Sequence, residues 1–326
     1  MSSEKPKVAF YWCSSCGGCE ESIVDLAEDI LKVVAAVDIV FWPVALDFKK
    51  KDVEAMEDGS IAVGFINGAV RLSEQKEMVE LLRRKCQIIV AHGSCSHLGG
   101  IPGLGNFWNK ETIFNRAYHT TPSTDNPDRV VPLEKYDLDG KELTLPRFYD
   151  TVYSLDQVID VDYYLPGCAP PRDLIMNAVM AILEGKLPPK GSVLSPNKSL
   201  CDDCDRNDTK PEKMAITEIK RPWEVIIDPE KCFLAQGIIC MGPATRTGCG
   251  ERCIIGNMPC RGCFGPTDQV YDQGAKFLSA LASILDTDDE KEIEKLVDTI
   301  VDPAGTFYRF SLPSSILRRR RMEAIK

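Results

Sequence analysis

Three cysteines spaced three residues apart, Cys13, Cys16 and Cys19, lie between a short apolar run and an amphipathic segment. The run at 7–12 is rich in β-branched and aromatic residues and predicts a strand, whereas apolar residues recur at helical spacing over 23–34. The cysteines therefore belong to a strand-to-helix turn. Two glycines between Cys16 and Cys19 let the backbone fold tightly, and the N–H groups at a helix start stabilise negative charge. Such a turn suits an anionic metal-thiolate site.

The composition indicates a globular protein with two domains. The 326 residues are 44% hydrophobic and 27% charged, and the sequence has no apolar run of the roughly eighteen residues that span a bilayer. A net charge of −10 argues against nucleic acid as the main partner, so we interpret the basic run Arg318–Arg321 as a surface tail or a subunit contact. Residues 1–7 carry neither an apolar signal core nor a twin arginine, which predicts a cytoplasmic protein.

The number and position of the cysteines favour metal ligation. In a chain without a secretory signal, 14 cysteines argue against a disulfide framework. Some are spread through the first half of the chain, whereas a second group is confined to 201–263. This second group predicts a dedicated cluster-binding segment.

Apolar strands alternate with amphipathic helices in the first half of the chain, which predicts an α/β fold with a doubly wound parallel sheet of the flavodoxin type. We expect strands at 7–12, 38–42, 60–65, 87–91 and 161–165, and helices at 20–34, 74–84, 172–183, 267–285 and 288–301. The polar stretch at 104–150 is interpreted as a surface excursion. A Pro/Gly/Ser-rich stretch near 186–196 predicts a boundary between a flavodoxin-like domain at 1–190 and a smaller, loop-rich domain with helices at 191–326, which contains the cluster-binding segment.

Three cysteine-bearing loops follow predicted strands. Ligands of open parallel sheets bind beyond the carboxyl ends of the strands, so these loops are expected to meet at one edge. Two thiolates from the first turn, together with Cys95 and Cys168, then complete a four-cysteine cage. By spacing alone, Cys13 could replace Cys16 in that cage. Cys86 heads an apolar strand and is interpreted as a core residue.

The eight cysteines of the second segment divide into two sets of four. By geometry alone such pairs bind zinc or iron-sulfur clusters equally well. Four more convergent thiols in the first domain favour clusters, which would together form a linear path for electrons. The eight are Cys201, Cys204, Cys232, Cys240, Cys249, Cys253, Cys260 and Cys263.

Five motifs in order resemble the small, electron-transferring subunit of nickel-iron hydrogenases over nearly the whole chain. They are Cys16-Gly-Gly-Cys19-Glu-Glu-Ser22, Gly93-Ser-Cys95 with Gly99-Gly-Ile-Pro102, Pro166-Gly-Cys168, the run Cys240-Met-Gly-Pro-Ala-Thr245 with Cys249, and Pro259-Cys260-Arg-Gly-Cys263. Several features depart from the commonest pattern: Cys201 stands where many members have histidine, Cys253 stands near a common proline, Cys13 is extra, and Ala169 interrupts the usual Cys-Pro-Pro. Because it lacks an export signal, the chain resembles the cytoplasmic, methyl-viologen-reducing type of hydrogenase, which feeds a heterodisulfide reductase.

This resemblance implies three 4Fe-4S clusters and a nickel-iron centre on a partner large subunit. It implies a path from H2 oxidation through the proximal, medial and distal clusters to a small iron-sulfur acceptor subunit, with heterodisulfide reductase or a ferredoxin-like protein beyond it. This chain itself is expected to supply no catalytic residue. The implied ligands are a proximal set (Cys16, Cys19, Cys95, Cys168), a medial set (Cys249, Cys253, Cys260, Cys263) and a distal set (Cys201, Cys204, Cys232, Cys240).

Three alternative interpretations remain open at the level of sequence. The chain could be the electron path of a hydrogenase-like oxidoreductase whose large subunit has lost nickel. It could correspond to the single-cluster subunit of respiratory complex I, although the second cysteine segment argues against this. It could also be a zinc-stabilised structural subunit.

Overall fold

A sheet of five parallel strands forms the centre of the structure, a computed structural model that describes residues 5–318. The strands occur in the spatial order β2-β1-β3-β5-β9, which is 2-1-3-4-5 in chain order. Doubly wound sheets of the flavodoxin type have the same order. The predicted parallel α/β architecture is confirmed. The five strands are β1 (Lys7–Trp12), β2 (Asp38–Phe41), β3 (Ile61–Asn67), β5 (Cys86–His92) and β9 (Tyr163–Leu165).

Side chains alternate between the two faces of this sheet, and each face has its own core. In β1, Val8 and Phe10 face one core, which also contains Ile23 and Leu174, whereas Ala9 faces the other. The Phe10 ring stacks on that of Phe65 in β3, with ring centroids 5.2 Å apart. Helices therefore cover both faces of the sheet, as a parallel sheet requires.

The helices predicted at 74–84 and 172–183 are present at nearly those bounds, whereas those predicted at 20–34, 267–285 and 288–301 are shorter or divided. The helix expected at 20–34 is wrong as a single element, because Ala27 has a φ of 53°, a left-handed conformation that an α-helix does not contain. The neighbouring Leu26 is buried in the core at this break. The helices are α1 (Gly18–Val24), α2 (Asp29–Ala36), α3 (Lys50–Glu54), α4 (Ser73–Lys85), α5 (Ser94–Leu98), α6 (Lys110–Asn115), α7 (Arg172–Leu183), α8 (Arg252–Ile255), α9 (Gln273–Ala282), α10 (Glu290–Asp298) and α11 (Pro303–Phe307).

The stretch at 104–150 lies mostly on the surface, as predicted, but it contains regular structure. Strands β6 (Lys135–Leu138) and β7 (Lys141–Thr144) form an exposed antiparallel hairpin. Strand β8 (Phe148–Tyr153) pairs with the short β4 (Val70–Leu72), which the sequence analysis missed. This pairing attaches the end of the excursion to the segment at 70–72.

A third core, separate from the two that flank the sheet, is built largely from irregular backbone. Its buried residues come from the range 200–312 and include Phe233, Phe277 and Leu312. The predicted helices at 267–285 and 288–301 correspond to α9 and α10, each capped by an aspartate that accepts backbone N–H bonds. Within residues 5–318, no helix is long and apolar enough to cross a membrane.

The segment at 308–318, which we call the C-terminal strap, returns to the first half of the chain. The carbonyl oxygen of Phe310 accepts a hydrogen bond from the N–H of Gly100 (2.9 Å), and that of Pro313 accepts one from the side chain of Gln157 (2.7 Å). A Cβ atom on Gly99 would lie 2.2 Å from the Pro313 ring, so only glycine fits beneath the strap. Of the arginine run, residues 319–321 lie outside the described part of the chain.

We predict that Asp162→Asn destabilises the sheet by about 2 kcal/mol at pH 7, because the carboxylate accepts charge-assisted bonds from Arg83 (2.7 Å) and Lys190 (2.5 Å) and one from the Ile89 N–H (2.8 Å). Burial alone would raise the pKa of Asp162, but the hydrogen bonds outweigh burial and lower it below the ordinary 3.8. This stabilisation is complete above that ordinary value and is lost as the pH falls through the lowered pKa of the folded state.

Urea unfolding at pH 7 and below pH 4 checks this prediction. The difference between wild type and variant should shrink at the lower pH. Asp160→Asn, two residues away and exposed, serves as the control and should change the free energy of unfolding by no more than about 0.5 kcal/mol. Equal effects of the two substitutions would contradict the prediction.

Candidate metal centres

The four cysteines of the proximal set lie together at the carboxyl edge of the sheet. Cys16 and Cys19 occupy the turn from β1 into α1, Cys95 lies in α5 directly after β5, and Cys168 follows β9. Burial raises the pKa of the Cys19 thiol, and the neighbouring Cys95, Cys168 and Cys16 raise it further. Burial and then Cys168 raise the pKa of Cys95 to about 12. Four thiolates this close repel one another, so their ionised form requires a bound cationic centre.

Two glycines make room for these sulfurs. A Cβ atom on Gly93 would lie 2.3 Å from the Cys19 Sγ, and one on Gly100 would lie 2.5 Å from the Cys95 Sγ. Both residues also have positive φ values, of 86° and 57°. The glycine-rich loop noted in the sequence is therefore required both by its conformation and by the space that the thiols occupy.

Cys13 and Cys86 lie apart from the proximal set, in the core on the opposite face of the sheet from Ile23. Burial raises the pKa of the Cys13 thiol and raises that of Cys86 to about 12. The prediction that Cys86 is a core residue is confirmed. The structure groups Cys16, and not Cys13, with the other three thiols.

The sequence analysis missed a polar network, largely buried, that supports the turn carrying Cys16 and Cys19. The carboxylate of Glu20 accepts hydrogen bonds from Asn67 (2.7 Å) and from the Trp42 indole, and Asn67 accepts one from Ser15 (3.0 Å). Burial raises the pKa of Glu20, although these bonds oppose the shift. The imidazole Nε2 of His92 lies 3.1 Å from the backbone oxygen of Cys19. His92 therefore contacts the backbone of the turn that carries Cys19.

The distal set surrounds a small cavity in the second half of the chain. Burial raises the pKa of Cys240 to about 12, and the thiols of Cys201 and Cys232 contribute to the increase. Burial also raises the pKa of Cys201, which Cys232 and Cys204 raise further while Lys210 lowers it. The four thiols therefore act on one another as a group.

The medial set lines a larger cavity of about 570 Å³, and Cys168 of the proximal set lines the same cavity. Burial raises the pKa of Cys263 to about 12, with contributions from Cys168, Cys249 and Cys253. Burial and the nearby thiols of Cys240 and Cys263 raise the pKa of Cys260 well above its ordinary value. The medial set thus interacts with both of the other sets.

Backbone hydrogen bonds to sulfur join neighbouring sets. The N–H of Cys168 donates to the Cys263 sulfur, and the N–H of Cys260 donates to the Cys240 Sγ at 3.3 Å. The Ser94 hydroxyl also donates to the backbone oxygen of Cys263 at 2.5 Å. The order of the sets in space is therefore proximal, medial, distal.

The chemistry of the donor set fits an iron-sulfur cluster. Within residues 5–318, no group of three His, Cys, Asp or Glu side chains is arranged to hold a single metal ion. The cysteines are all free, and thiolates are the ligands that iron-sulfur clusters take.

Arg246, which the sequence analysis also missed, holds the segment around the medial set. Its side chain is only 1% exposed and donates to the backbone oxygens of Ser195 (3.3 Å) and Pro266 (3.2 Å), besides pairing with Asp268. Its backbone N–H donates to the Gly265 oxygen at 2.7 Å. A planar guanidinium can satisfy several acceptors at once, which an ammonium cannot. The sequence around Arg246 has no pattern that predicts the burial of its side chain, which is why the sequence analysis missed it.

Residues 16–182 of the chain match the family described as the NADH ubiquinone oxidoreductase 20 kDa subunit. This match includes the three loops of the proximal set. The class of protein is therefore that of an oxidoreductase subunit.

Comparison with curated proteins gives a more specific relationship. The iron-sulfur subunit of the F420-non-reducing hydrogenase of Archaeoglobus profundus is 43% identical over 318 residues, which cover 96% of this chain and 98% of that protein. The corresponding subunit of the F420-non-reducing hydrogenase of Methanothermobacter thermautotrophicus is 37% identical, with 97% of both chains covered. The chain belongs to this family of hydrogenase small subunits, as the motifs predicted, and is thus part of an enzyme.

The fold agrees with a solved hydrogenase structure. The [NiFeSe] hydrogenase of Desulfovibrio vulgaris Hildenborough superposes with a TM-score of 0.51 over 81% of this chain and 95% of that chain. At 18% identity, this likeness concerns the fold alone.

We predict that Arg246→Met destabilises the protein by about 3 kcal/mol, because it leaves several buried carbonyl oxygens without a donor. Urea unfolding measures this change. Arg84→Met removes an exposed arginine and should cost less than about 0.5 kcal/mol. A similar midpoint for both variants would contradict the role assigned to Arg246.

Proposed function

We propose that this chain is the electron-transfer subunit of a nickel-iron hydrogenase. Electrons from H2 oxidation at a partner large subunit would pass through three 4Fe-4S clusters toward a ferredoxin-like or heterodisulfide-reductase-type acceptor. The observation that carries the proposal is the linear order of three four-cysteine sets, in which adjacent sets share backbone N–H to sulfur bonds. The two F420-non-reducing hydrogenase relatives support the hydrogenase assignment.

We assign one cluster to each cysteine set as the sequence predicts. Cys16, Cys19, Cys95 and Cys168 would hold the proximal cluster, Cys249, Cys253, Cys260 and Cys263 the medial one, and Cys201, Cys204, Cys232 and Cys240 the distal one. The mutual effects of the thiols on their pKa values support these groups. The division at residues 190 and 191 remains part of the proposal, supported by the separate core formed between 200 and 312.

The exposed end of the path supports a large-subunit partner. Cys16 and Cys168 are exposed at the sheet edge, as is Cys253 of the medial set, although cluster ligands are normally shielded from water. Trp12 and Ile101, both adjacent to the proximal set, expose 40% and 45% of their surface. An apolar partner surface would cover both the cysteines and these side chains. The proposal also retains the cytoplasmic location predicted from the sequence.

The chain's own residues would position the clusters and set their surroundings. The clusters, when bound, accept and release single electrons. Gly93 and Gly100 leave space for the Cys19 and Cys95 sulfurs. Backbone N–H groups, such as that of Ile101 toward Cys95, donate to the sulfurs and stabilise their negative charge. The Glu20 network and Arg246 fix the loops that carry these groups.

We predict roughly twelve irons in this subunit and about one nickel per complex that co-purifies with it under strict anaerobiosis. Metal analysis of that complex tests the proposal. Iron near that level without nickel would retain the three-cluster path and move the function to a nickel-free, hydrogenase-like oxidoreductase. Iron for one cluster only would favour the complex-I-like alternative, and zinc in the second segment would contradict the electron path.

We predict that Gly93→Ala lowers the iron content from roughly twelve to about eight, because the added methyl group occupies the position of the Cys19 sulfur. Iron analysis and electron paramagnetic resonance (EPR) of the purified complex detect the lost cluster. Gly59→Ala is the matched control, since Gly59 has a comparable φ of 71° with no atom near the new Cβ. Equal iron in both variants would contradict the proximal assignment.

A further inference from the structure

The distal set differs from the proximal set in the charge beside its sulfurs. The Lys210 ammonium donates a hydrogen bond to the Cys201 sulfur, and its charge favours the thiolate there. Lys210 lines the same small cavity as the four distal cysteines. A cation that lines the same cavity as the four sulfurs is thus built into this end of the path.

The position of Lys210 is fixed by a second contact. Its ammonium also donates to the side-chain oxygen of Asn207, which lines the same cavity. Lys210 is only partly exposed, so its charge is less screened by water than that of a surface lysine. The ammonium therefore has two acceptors within the described chain, one of which is a cluster ligand.

The proximal set has the opposite charge environment. The charged groups that most affect the Cys19 thiol are the other three proximal thiols and the carboxylate of Glu20, all of which disfavour added negative charge. At the distal set, Arg206 acts favourably on Cys204 and Glu251 acts against it. The Arg206 guanidinium donates to the Ile254 backbone oxygen and to the Asn257 side chain, whereas the Lys210 ammonium acts on the Cys201 sulfur.

We propose that Lys210 raises the reduction potential of the distal cluster and so makes the distal site the electron-collecting end of the path. The inference rests on the proposed function. A cluster gains one negative charge when it accepts one electron from its neighbour, which is oxidised in the same step. An adjacent ammonium stabilises the reduced form more than the oxidised form, and hydrogen bonds to the sulfurs act in the same direction.

The test is an EPR-monitored redox titration of the anaerobically purified complex. Lys210→Met should shift the reduction equilibrium of one cluster at least tenfold toward the oxidised form, which corresponds to about 59 mV for one electron. The other two clusters should titrate as in the wild type. Lys210→Arg, which keeps the charge, should restore most of the potential.

Two further variants separate the charge of Lys210 from other effects. Lys210→Gln retains a neutral hydrogen-bond donor and should also lower the potential of the distal cluster. This variant tests the role of the charge if Lys210→Met fails to assemble the distal cluster. Lys213→Met removes an exposed charge three residues away and should leave all three potentials unchanged. A wild-type potential in Lys210→Gln, or an equal shift in Lys213→Met, would overturn the inference.

The titration also distinguishes this inference from the proposed function. If the wild-type complex contains three clusters and Lys210→Met titrates like the wild type, the role of Lys210 is wrong and the electron path stands. If the wild-type complex lacks a cluster at the distal cysteines, the proposed function itself fails, and with it the role of Lys210.

Discussion

The arrangement of the three cysteine sets depends on the contacts between Cys263 and the residues that follow strands β5 and β9. The Cys263 sulfur accepts the N–H of Cys168, and its backbone oxygen accepts the hydroxyl of Ser94. Both donors lie just beyond the carboxyl ends of strands of the sheet. The medial set is therefore positioned by the rigid edge of the sheet, although most of the backbone around it is irregular. Arg246 holds the same segment from the other side through the Pro266 oxygen.

The three sets also differ in what surrounds them. The proximal thiols lie beside a carboxylate network and partly exposed apolar side chains, which suits a site that another protein covers. The medial thiols line a cavity shared with Cys168 and touch both neighbouring sets. The distal thiols face a lysine. One residue type thus serves three sites, and the residues around each set, more than the cysteines themselves, distinguish one site from the next.

Much of the sheet and of the proximal site could be predicted from the sequence, because strand patterns are local and parallel topology brings strand ends together. Cys95 and Cys168 could be grouped with Cys19 on that argument alone. The division of the eight later cysteines required a family resemblance, since irregular loops carry no periodic signal. The break at Ala27 was missed because the apolar pattern continues through it. The contacts of Lys210, Arg246 and Glu20 join distant parts of the chain or leave no local pattern, so a sequence alone could not reveal them.

The C-terminal strap makes the proximal site depend on the order of synthesis. Gly99 and Gly100 belong to the loop that carries Cys95, and they pack against Pro313 and bond to Phe310. A ribosome releases residue 313 long after the loop at 95–103 has emerged. The native packing of that loop is therefore completed only after residue 313 has been synthesised. The fold consequently couples the packing around its first cysteine set to the later synthesis of the strap.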